Sequence, residues 1–136
     1  TAEDISLCEP SDLVSDLGIE TKTAEIMVEK AKEAEQFEKR KAAVQATWKA
    51  VEDSLNVKAT KLFYQHLFDS HPEVVTMFEN ANMDAQAEKL YKTVGIAVKY
   101  LDDVEGLIPV LQEMGEKHAK EFGCKREHYT AVGDAL

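Results

Sequence analysis

Apolar residues recur at helical spacing through the middle of the chain. Val44, Trp48, Val51 and Leu55 fall at positions i, i+4, i+7 and i+11, which predicts an amphipathic helix that begins near residue 42. After the segment SLN (residues 54–56), a second helix is predicted around residues 62–67. Both helices need a core to cover their apolar faces.

The clearest helical pattern lies between residues 83 and 101. Its broad apolar face consists of Met83, Ala87, Leu90, Tyr91, Val94, Ala97, Val98 and Leu101. Before this helix, Ser70 is a suitable capping residue and Pro72 suits the first turn of a short helix that ends near Phe78. The pattern therefore predicts two long helices joined through a short one.

Residues 105–122 predict a further helix in which Leu107, Leu111, Met114 and His118 form one stripe. Pro109 is expected in its first turn or at a kink, so it does not exclude the helix. His118 consequently points in the same direction as the apolar residues.

The last residues predict one more helix. Gly123 is well placed to end the preceding helix, and Tyr129, Val132 and Leu136 then share one face. No strand pattern occurs anywhere in the chain, so the predicted fold class is all-α. The helical pattern continues to the last residue of the sequence.

The beginning of the chain is less regular. Pro10 and Gly18 interrupt residues 1–20, which are expected to form a tail with at most a short helix. Residues 21–41 predict a helix whose apolar stripe, Met27, Ala31 and Ala34, is thin. Such a helix needs a partner to remain folded.

Composition and charge exclude several classes of function. A chain of 136 residues with 44% hydrophobic residues fits a globular protein with a real core. Its net charge of −10 argues against nucleic acids and anionic membrane surfaces as partners, and the basic cluster at Arg40 is better interpreted as a solvated helix face.

No segment predicts a membrane span. Cys8 and Cys124 show no metal-ligand spacing and are expected to be free thiols.

Two polar side chains interrupt the apolar faces. His118 continues a stripe of leucine and methionine, and Gln86 lies one turn before Leu90. They are either boundary residues that bond to a neighbour, which periodicity alone favours, or groups that face one cavity. Of the other histidines, His66 is expected to be partly buried and the remaining two to lie at the surface.

The segment LFYQHLFDSHPEVVTMF (62–78), followed by Gln86, Leu90 and KHAKEFG, resembles the globin family. It is most similar to bacterial single-domain globins and the globin part of flavohaemoglobins. The resemblance covers about residues 42–136 and includes Trp48, which matches the tryptophan of the family's first helix. It implies a globin-like haem domain at 42–136 that is incomplete at its C-terminus, preceded by a helical extension at 1–41.

The resemblance also implies a haem site. His118 matches the proximal ligand of the haem iron, Tyr64 matches the distal tyrosine, and Gln86 falls at the distal position. The carbonyl of Met114, one turn before His118, is expected to accept a hydrogen bond from the second ring nitrogen. Phe78 matches the phenylalanine that packs on the haem. The residues expected to line the cofactor are Phe78, Leu90, Val94, Leu111 and Met114, and simple core packing remains the alternative for each of them.

The implied function is a haem b protein that reversibly binds dioxygen or another diatomic gas. Hydrogen bonds from Tyr64 and Gln86 predict tight oxygen binding. Two alternatives remain: a globin-like structural or regulatory subunit of a larger assembly, with or without haem, and a haem-dependent nitric oxide dioxygenase or peroxidase with an external reductant. Tyr129 matches a tyrosine that supports the proximal histidine in flavohaemoglobins. The open C-terminal side has three possible explanations: the sequence is a fragment, the early helix replaces part of the wall, or a protein partner or second copy covers it. The compartment stays open, with a soluble, cytoplasmic protein as the default.

Overall fold

The computed structural model describes residues 1–136 and contains helices but no strand, which confirms the predicted all-α fold. Seven α-helices are present: α1 Ala2–Ser6, α2 Pro10–Leu17, α3 Thr21–Ser54, α4 Val57–Ser70, α5 Met83–Lys99, α6 Val104–Glu121 and α7 Arg126–Ala135. Two 3₁₀ helices cover Pro72–Phe78 and Tyr100–Asp102. None of the helices combines the length and the apolar composition that crossing a bilayer requires.

The chain forms two compact units, Thr1–Ala46 and Thr47–Leu136. The boundary between them lies within α3, which begins in the first unit and ends in the second. The division after residue 41 that the sequence suggests stays a prediction.

The first unit contains more helix than the sequence predicts. Instead of a tail with at most one short helix, residues 1–20 form α1 and α2. The hydroxyl of Thr1 accepts a hydrogen bond from the backbone N–H of Asp4 and so caps α1. Pro10 starts α2, and Gly18, at φ 64°, ends it. The prediction was wrong because both residues occupy helix ends, where they are favourable, rather than helix interiors.

A small apolar cluster holds α2 against the first part of α3. Its buried members are Leu13, Ala24 and Val28, and the partly buried residues packed on them are Ile5, Cys8, Val14, Ile19 and Met27. The predicted stripe is shifted, because Ala31 is buried but Ala34 is exposed. The first helices of the chain therefore supply the partner that α3 was expected to need.

Helix α3 is continuous over 34 residues, whereas the sequence suggests separate helices before and after residue 42. No glycine or proline interrupts residues 38–47. Lys39 pairs with Glu35, and Lys41 pairs with Glu38, so ion pairs at helical spacing support the junction. The two predicted stripes therefore belong to one helix.

The second unit has its core around α4. Its buried members are Tyr64, Leu67, Val74, Ala87, Ala131 and Ala135, and the residues packed on them are Val57, Phe63, Phe68, Phe78, Met83 and Leu90. Helix α4 packs against α5, α7 and the 3₁₀ helix Pro72–Phe78. The buried hydroxyl of Thr60 donates a hydrogen bond of 2.8 Å to the carbonyl of Ala87, which ties α4 to α5.

Residues next to the helices of this unit cap or end them. Asn82 caps α5 by accepting from the N–H of Ala85 at 3.1 Å, and Gly123, at φ 63°, follows the end of α6 as predicted. Ser70 is not the predicted cap, because its hydroxyl donates instead to the carbonyl of His66 at 2.6 Å. Pro109 lies inside α6 rather than in its first turn.

Helix α7 buries a different face from the predicted one. Ala131 and Ala135 are buried, whereas Tyr129 is 55% exposed and Leu136 is 85% exposed. The large residues share a face, as their spacing predicts, but α7 approaches α4 through its alanines. Small side chains permit the closer approach of two helices, so size rather than hydrophobicity selects the buried face.

A close contact joins the end of α3 to α5. The rings of Trp48 and Tyr91 lie 5.2 Å apart, and a β-carbon placed on Gly95 would lie 3.3 Å from Cζ2 of Trp48. The indole Nε1 of Trp48 is buried there without a hydrogen-bond partner. The absence of a side chain at Gly95 therefore creates the space that the indole fills.

We predict that Gly95→Ala and Gly115→Ala have different effects on stability. Both glycines lie inside helices, where alanine is favoured by about 0.5–1 kcal/mol, but only Gly95 contacts the indole. Gly115→Ala should gain most of that amount, and Gly95→Ala should gain less or lose stability because of overpacking. Urea unfolding measures both. An equal gain in the two variants would contradict the tight contact with Trp48.

Candidate functional site

A cleft of about 130 Å³ lies between the end of α6 and the segment that joins the 3₁₀ helix Pro72–Phe78 to α5. It is lined by Met77, Phe78, Ala81, Gln86, His118, Phe122 and Cys124. Three residues of the predicted site, Phe78, Gln86 and His118, are thus brought together from three elements. The cleft is largely apolar with two polar side chains.

His118 is held in one orientation by its own helix. Its Nδ1 lies 2.7 Å from the carbonyl oxygen of Met114, the contact expected from the sequence. Because a carbonyl only accepts hydrogen bonds, Nδ1 must carry the proton, and in the neutral ring Nε2 then keeps its lone pair. The ring of Phe122 meets the imidazole edge to face at 5.6 Å. His118 therefore presents a nitrogen that can accept a proton or coordinate a metal.

Tyr64 belongs to the hydrophobic core but is linked to the cleft. It is 7% exposed, and its ring centre lies 5.3 Å from that of Phe63 and 5.5 Å from that of Phe78. Burial raises the pKa of the Tyr64 hydroxyl, and a hydrogen bond with the side chain of Gln86 offsets part of that rise. The hydroxyl is therefore protonated at neutral pH and is connected to the cleft through Gln86.

Four predicted lining residues do not line the cleft. Leu90 packs against the hydrophobic core, Val94 is half-buried, and Leu111 is 48% exposed. Met114 contributes its backbone carbonyl rather than a lining side chain. The proposed contact of these residues with a cofactor stays a prediction.

Four lining residues were not identified from the sequence: Met77, Ala81, Phe122 and Cys124. Phe122 lies one helical turn after His118, so its spacing was an available signal. Cys124 follows Gly123, which turns the chain back, and its N–H donates to the carbonyl of His118 at 3.0 Å. Burial raises the pKa of the Cys124 thiol. Cys8 and Cys124 are free, as predicted.

The remaining histidines differ from expectation in their exposure. His66 is exposed, and its Nδ1 lies 3.5 Å from the hydroxyl of Ser70. The expectation of partial burial was wrong because α4 buries Tyr64 and Leu67, whose side chains leave the helix in other directions. His71 and His128 were expected at the surface, but their side chains are only 24% and 23% exposed.

The chain matches a known family over this region. The sequence model described as Globin matches residues 61–136, which is more than half of the chain. The chain belongs to the globin family. The match includes every predicted site residue, from Tyr64 to His118, and agrees with the all-helical fold.

Curated relatives of this globin carry the name flavohemoprotein. The relative from Bacillus cereus is 40% identical over 82 residues, which are 59% of this chain and 20% of the relative. That from Bacillus subtilis is 34% identical over 79 residues, 57% of this chain and 20% of the relative. That from Chromobacterium violaceum is 30% identical over 101 residues, 73% of this chain and 24% of the relative. The globin chain thus spans about a fifth to a quarter of the length of these relatives.

We predict that Tyr64→Phe destabilises this globin by about 1 kcal/mol at pH 7, because the side chain of Gln86 loses its partner. The difference from wild type should shrink above about pH 10. A pKa that is raised in the folded state adds stability below the pKa of the unfolded chain, and this stability is lost as the pH rises through the folded value. Unfolding in urea between pH 7 and pH 11 measures the difference. A difference that is constant with pH would argue against the burial of a protonated hydroxyl.

Proposed function

We propose that this globin binds haem b, with His118 as the axial ligand of the iron, and reversibly binds dioxygen or another diatomic gas. The observation that carries the proposal is the hydrogen bond between Nδ1 of His118 and the carbonyl of Met114, which leaves Nε2 available in an apolar cleft. In a histidine that ligates a metal, the other ring nitrogen usually donates a hydrogen bond of this kind. Membership of the globin family agrees with it.

The residues of the cleft fit the chemistry of a haem. A neutral imidazole is a normal axial donor to haem iron, and Phe78 and Phe122 offer apolar surface to a flat macrocycle. The volume of about 130 Å³ is below the roughly 300–1,000 Å³ of common ligand pockets. The walls must therefore move apart on binding. Phe122 is 55% exposed and is not enclosed by other side chains, so it is the wall residue best able to move.

Gln86 and Tyr64 support the binding of a gas. When bound, haem iron supplies a coordination position for a diatomic ligand. The amide of Gln86 lines the cleft, whereas the hydroxyl of Tyr64 reaches it through Gln86. Both groups can donate hydrogen bonds to a ligand that carries partial negative charge. Donors of this kind slow ligand release, which favours sensing, scavenging or oxygen-using chemistry over bulk oxygen transport.

The name of the relatives supports a second candidate. Flavohemoproteins are similar to this chain over about a fifth of their length. A haem-dependent redox enzyme, such as a nitric oxide dioxygenase or a peroxidase supplied by an external reductant, would use the same site. Turnover with a reductant distinguishes it from simple binding. A haem-free structural subunit is the third candidate, and the experiment below tests it.

We predict that the purified protein, after reconstitution with haem, shows a Soret band that shifts when it is reduced under carbon monoxide. His118→Ala should abolish or strongly alter this spectrum, because it removes the proposed iron ligand. His66→Ala is the matched control, since His66 is exposed and lies outside the cleft, and it should keep the wild-type spectrum. If wild type and His118→Ala give the same spectrum, His118 is not the ligand. A wild-type protein that takes up no haem would favour the structural subunit.

We predict that Tyr64→Phe and Gln86→Leu release dioxygen faster than wild type. One charge-assisted hydrogen bond contributes roughly 1.5–3 kcal/mol, which is about a ten- to hundredfold change if it appears wholly in the off-rate. Gln86→Leu should have the larger effect because Gln86 lines the cleft directly. Stopped-flow displacement of dioxygen by carbon monoxide measures the rates. Off-rates within twofold of wild type in both variants would refute the role of this pair.

A further inference from the structure

The first turn of α7 has an unusual cap. Lys125 occupies the N-cap position, but a lysine side chain carries no acceptor for the free N–H groups of the helix. The side-chain bond that the structure shows at this end runs to His128, whose Nδ1 accepts from the backbone N–H of Lys125 at 3.1 Å. In a capping box this position normally holds glutamate or glutamine. Here a histidine replaces them.

The bond requires a neutral imidazole. Nδ1 of His128 must have a free lone pair to accept from the N–H of Lys125. When the ring gains a second proton, both nitrogens become donors and the cap bond is lost. The positive charge would also lie at the N-terminus of α7, where the helix dipole disfavours it. Protonation therefore removes the cap and adds an unfavourable charge at the same place.

Carboxylates near His128 offer the protonated ring other partners. Glu127, the preceding residue, has Oε1 at 4.0 Å from Nε2 of His128. Glu73, on the 3₁₀ helix Pro72–Phe78, contacts Nδ1 of His71 at 3.1 Å. The pKa of Glu73 is lowered by a backbone hydrogen bond first, then by His71, with a contribution from His128. His128 thus has a backbone donor at Nδ1, which requires a lone pair there, and the carboxylate of Glu127 at the limit of contact with Nε2.

The cap adjoins the wall of the cleft. Residues 122–125 join α6 to α7, and Phe122 and Cys124 line the cleft beside His118. The N–H of Cys124 bonds to the carbonyl of His118, and the N–H of the next residue, Lys125, bonds to His128. Two consecutive backbone N–H groups therefore hold this segment, one to α6 and one to α7. The backbone N–H of His128 also donates to the carbonyl of Lys125 at 3.0 Å, so loss of the side-chain bond weakens the attachment to α7 without removing it.

We infer that His128 is a pH-sensitive cap that holds the first turn of α7 and the adjoining cleft wall while its ring is neutral, and that loosens both when the ring is protonated and the bond to the N–H of Lys125 is lost. Histidine is the side chain that ordinarily changes its charge between about pH 5 and 8. The inference does not depend on haem binding, because every group involved belongs to the protein.

The test follows the amide of Lys125 by NMR in the full chain without haem. The quantity is the protection factor, the ratio of the intrinsic to the observed hydrogen-exchange rate, at pH 8 and pH 5. The loss of one cap should lower the wild-type value about fivefold at pH 5. His128→Gln should keep its protection at both pH values, because glutamine makes the same bond without titrating. His128→Ala should lack the protection at both.

A neighbouring histidine serves as the matched control. His71 is also partly buried and contacts Glu73, so His71→Gln should retain the wild-type fall in protection. In wild type, the ¹⁵N shift of Nδ1 of His128 should report an unprotonated acceptor at pH 8. The inference is overturned if the wild-type protection does not change, or if His128→Gln loses as much as wild type.

The link to the cleft wall has a separate readout. In a Cys8→Ser background, Cys124 is the remaining thiol, and its rate of reaction with 4,4′-dithiodipyridine reports its accessibility. At pH 5.5 the chain with His128 should react severalfold faster than the chain with His128→Gln, and at pH 8 the two should react at the same rate. Comparison at one pH cancels the change in thiolate fraction. Equal rates at pH 5.5 would refute the release of the wall.

Discussion

The burial of Tyr64 is the constraint on which the second unit depends. Its ring packs with Phe63, Phe68 and Phe78 in the core, and this aromatic surface favours folding. Its hydroxyl, however, must be paired, because an unpaired polar group in the core costs more than the bond itself contributes. Gln86 supplies the partner from α5. The same requirement that stabilises the core therefore positions a polar side chain at the cleft.

Close helix approach follows from small residues around this pair. Ala87 is the neighbour of Gln86, and its carbonyl accepts from the buried hydroxyl of Thr60 on α4. Ala131 and Ala135 bring α7 to the same core. These contacts fix α5 and α7 relative to α4, and with them the positions of Gln86 and of the segment that precedes α7. This part of the cleft is thus a consequence of packing around α4.

Helical periodicity predicted α4, α5, α6 and the 3₁₀ helix closely, because in each of them one face is apolar and a capping or breaking residue marks an end. It failed where a choice depends on the partner surface. For α7, Tyr129 and Val132 are the more hydrophobic face, but the buried residues are Ala131 and Ala135. For residues 1–20, Pro10 indicated a break although it starts a helix.

The orientation of His118 and its bond to Met114 followed from spacing within one helix. The contribution of Cys124 to the cleft did not, because it depends on the turn at Gly123.

The two histidines at the ends of the segment between α6 and α7 show how the backbone selects chemistry. Nδ1 of His118 faces a carbonyl, so it carries the proton and Nε2 keeps a lone pair. Nδ1 of His128 faces an N–H, so it keeps the lone pair and Nε2 of the neutral ring carries the proton. The same side chain is therefore fixed in opposite tautomers at two positions ten residues apart. Only the first tautomer offers a free nitrogen donor to a metal, whereas the second commits its lone pair to the helix cap. The backbone group that each ring meets thus separates the histidine suited to ligation from the histidine suited to respond to pH.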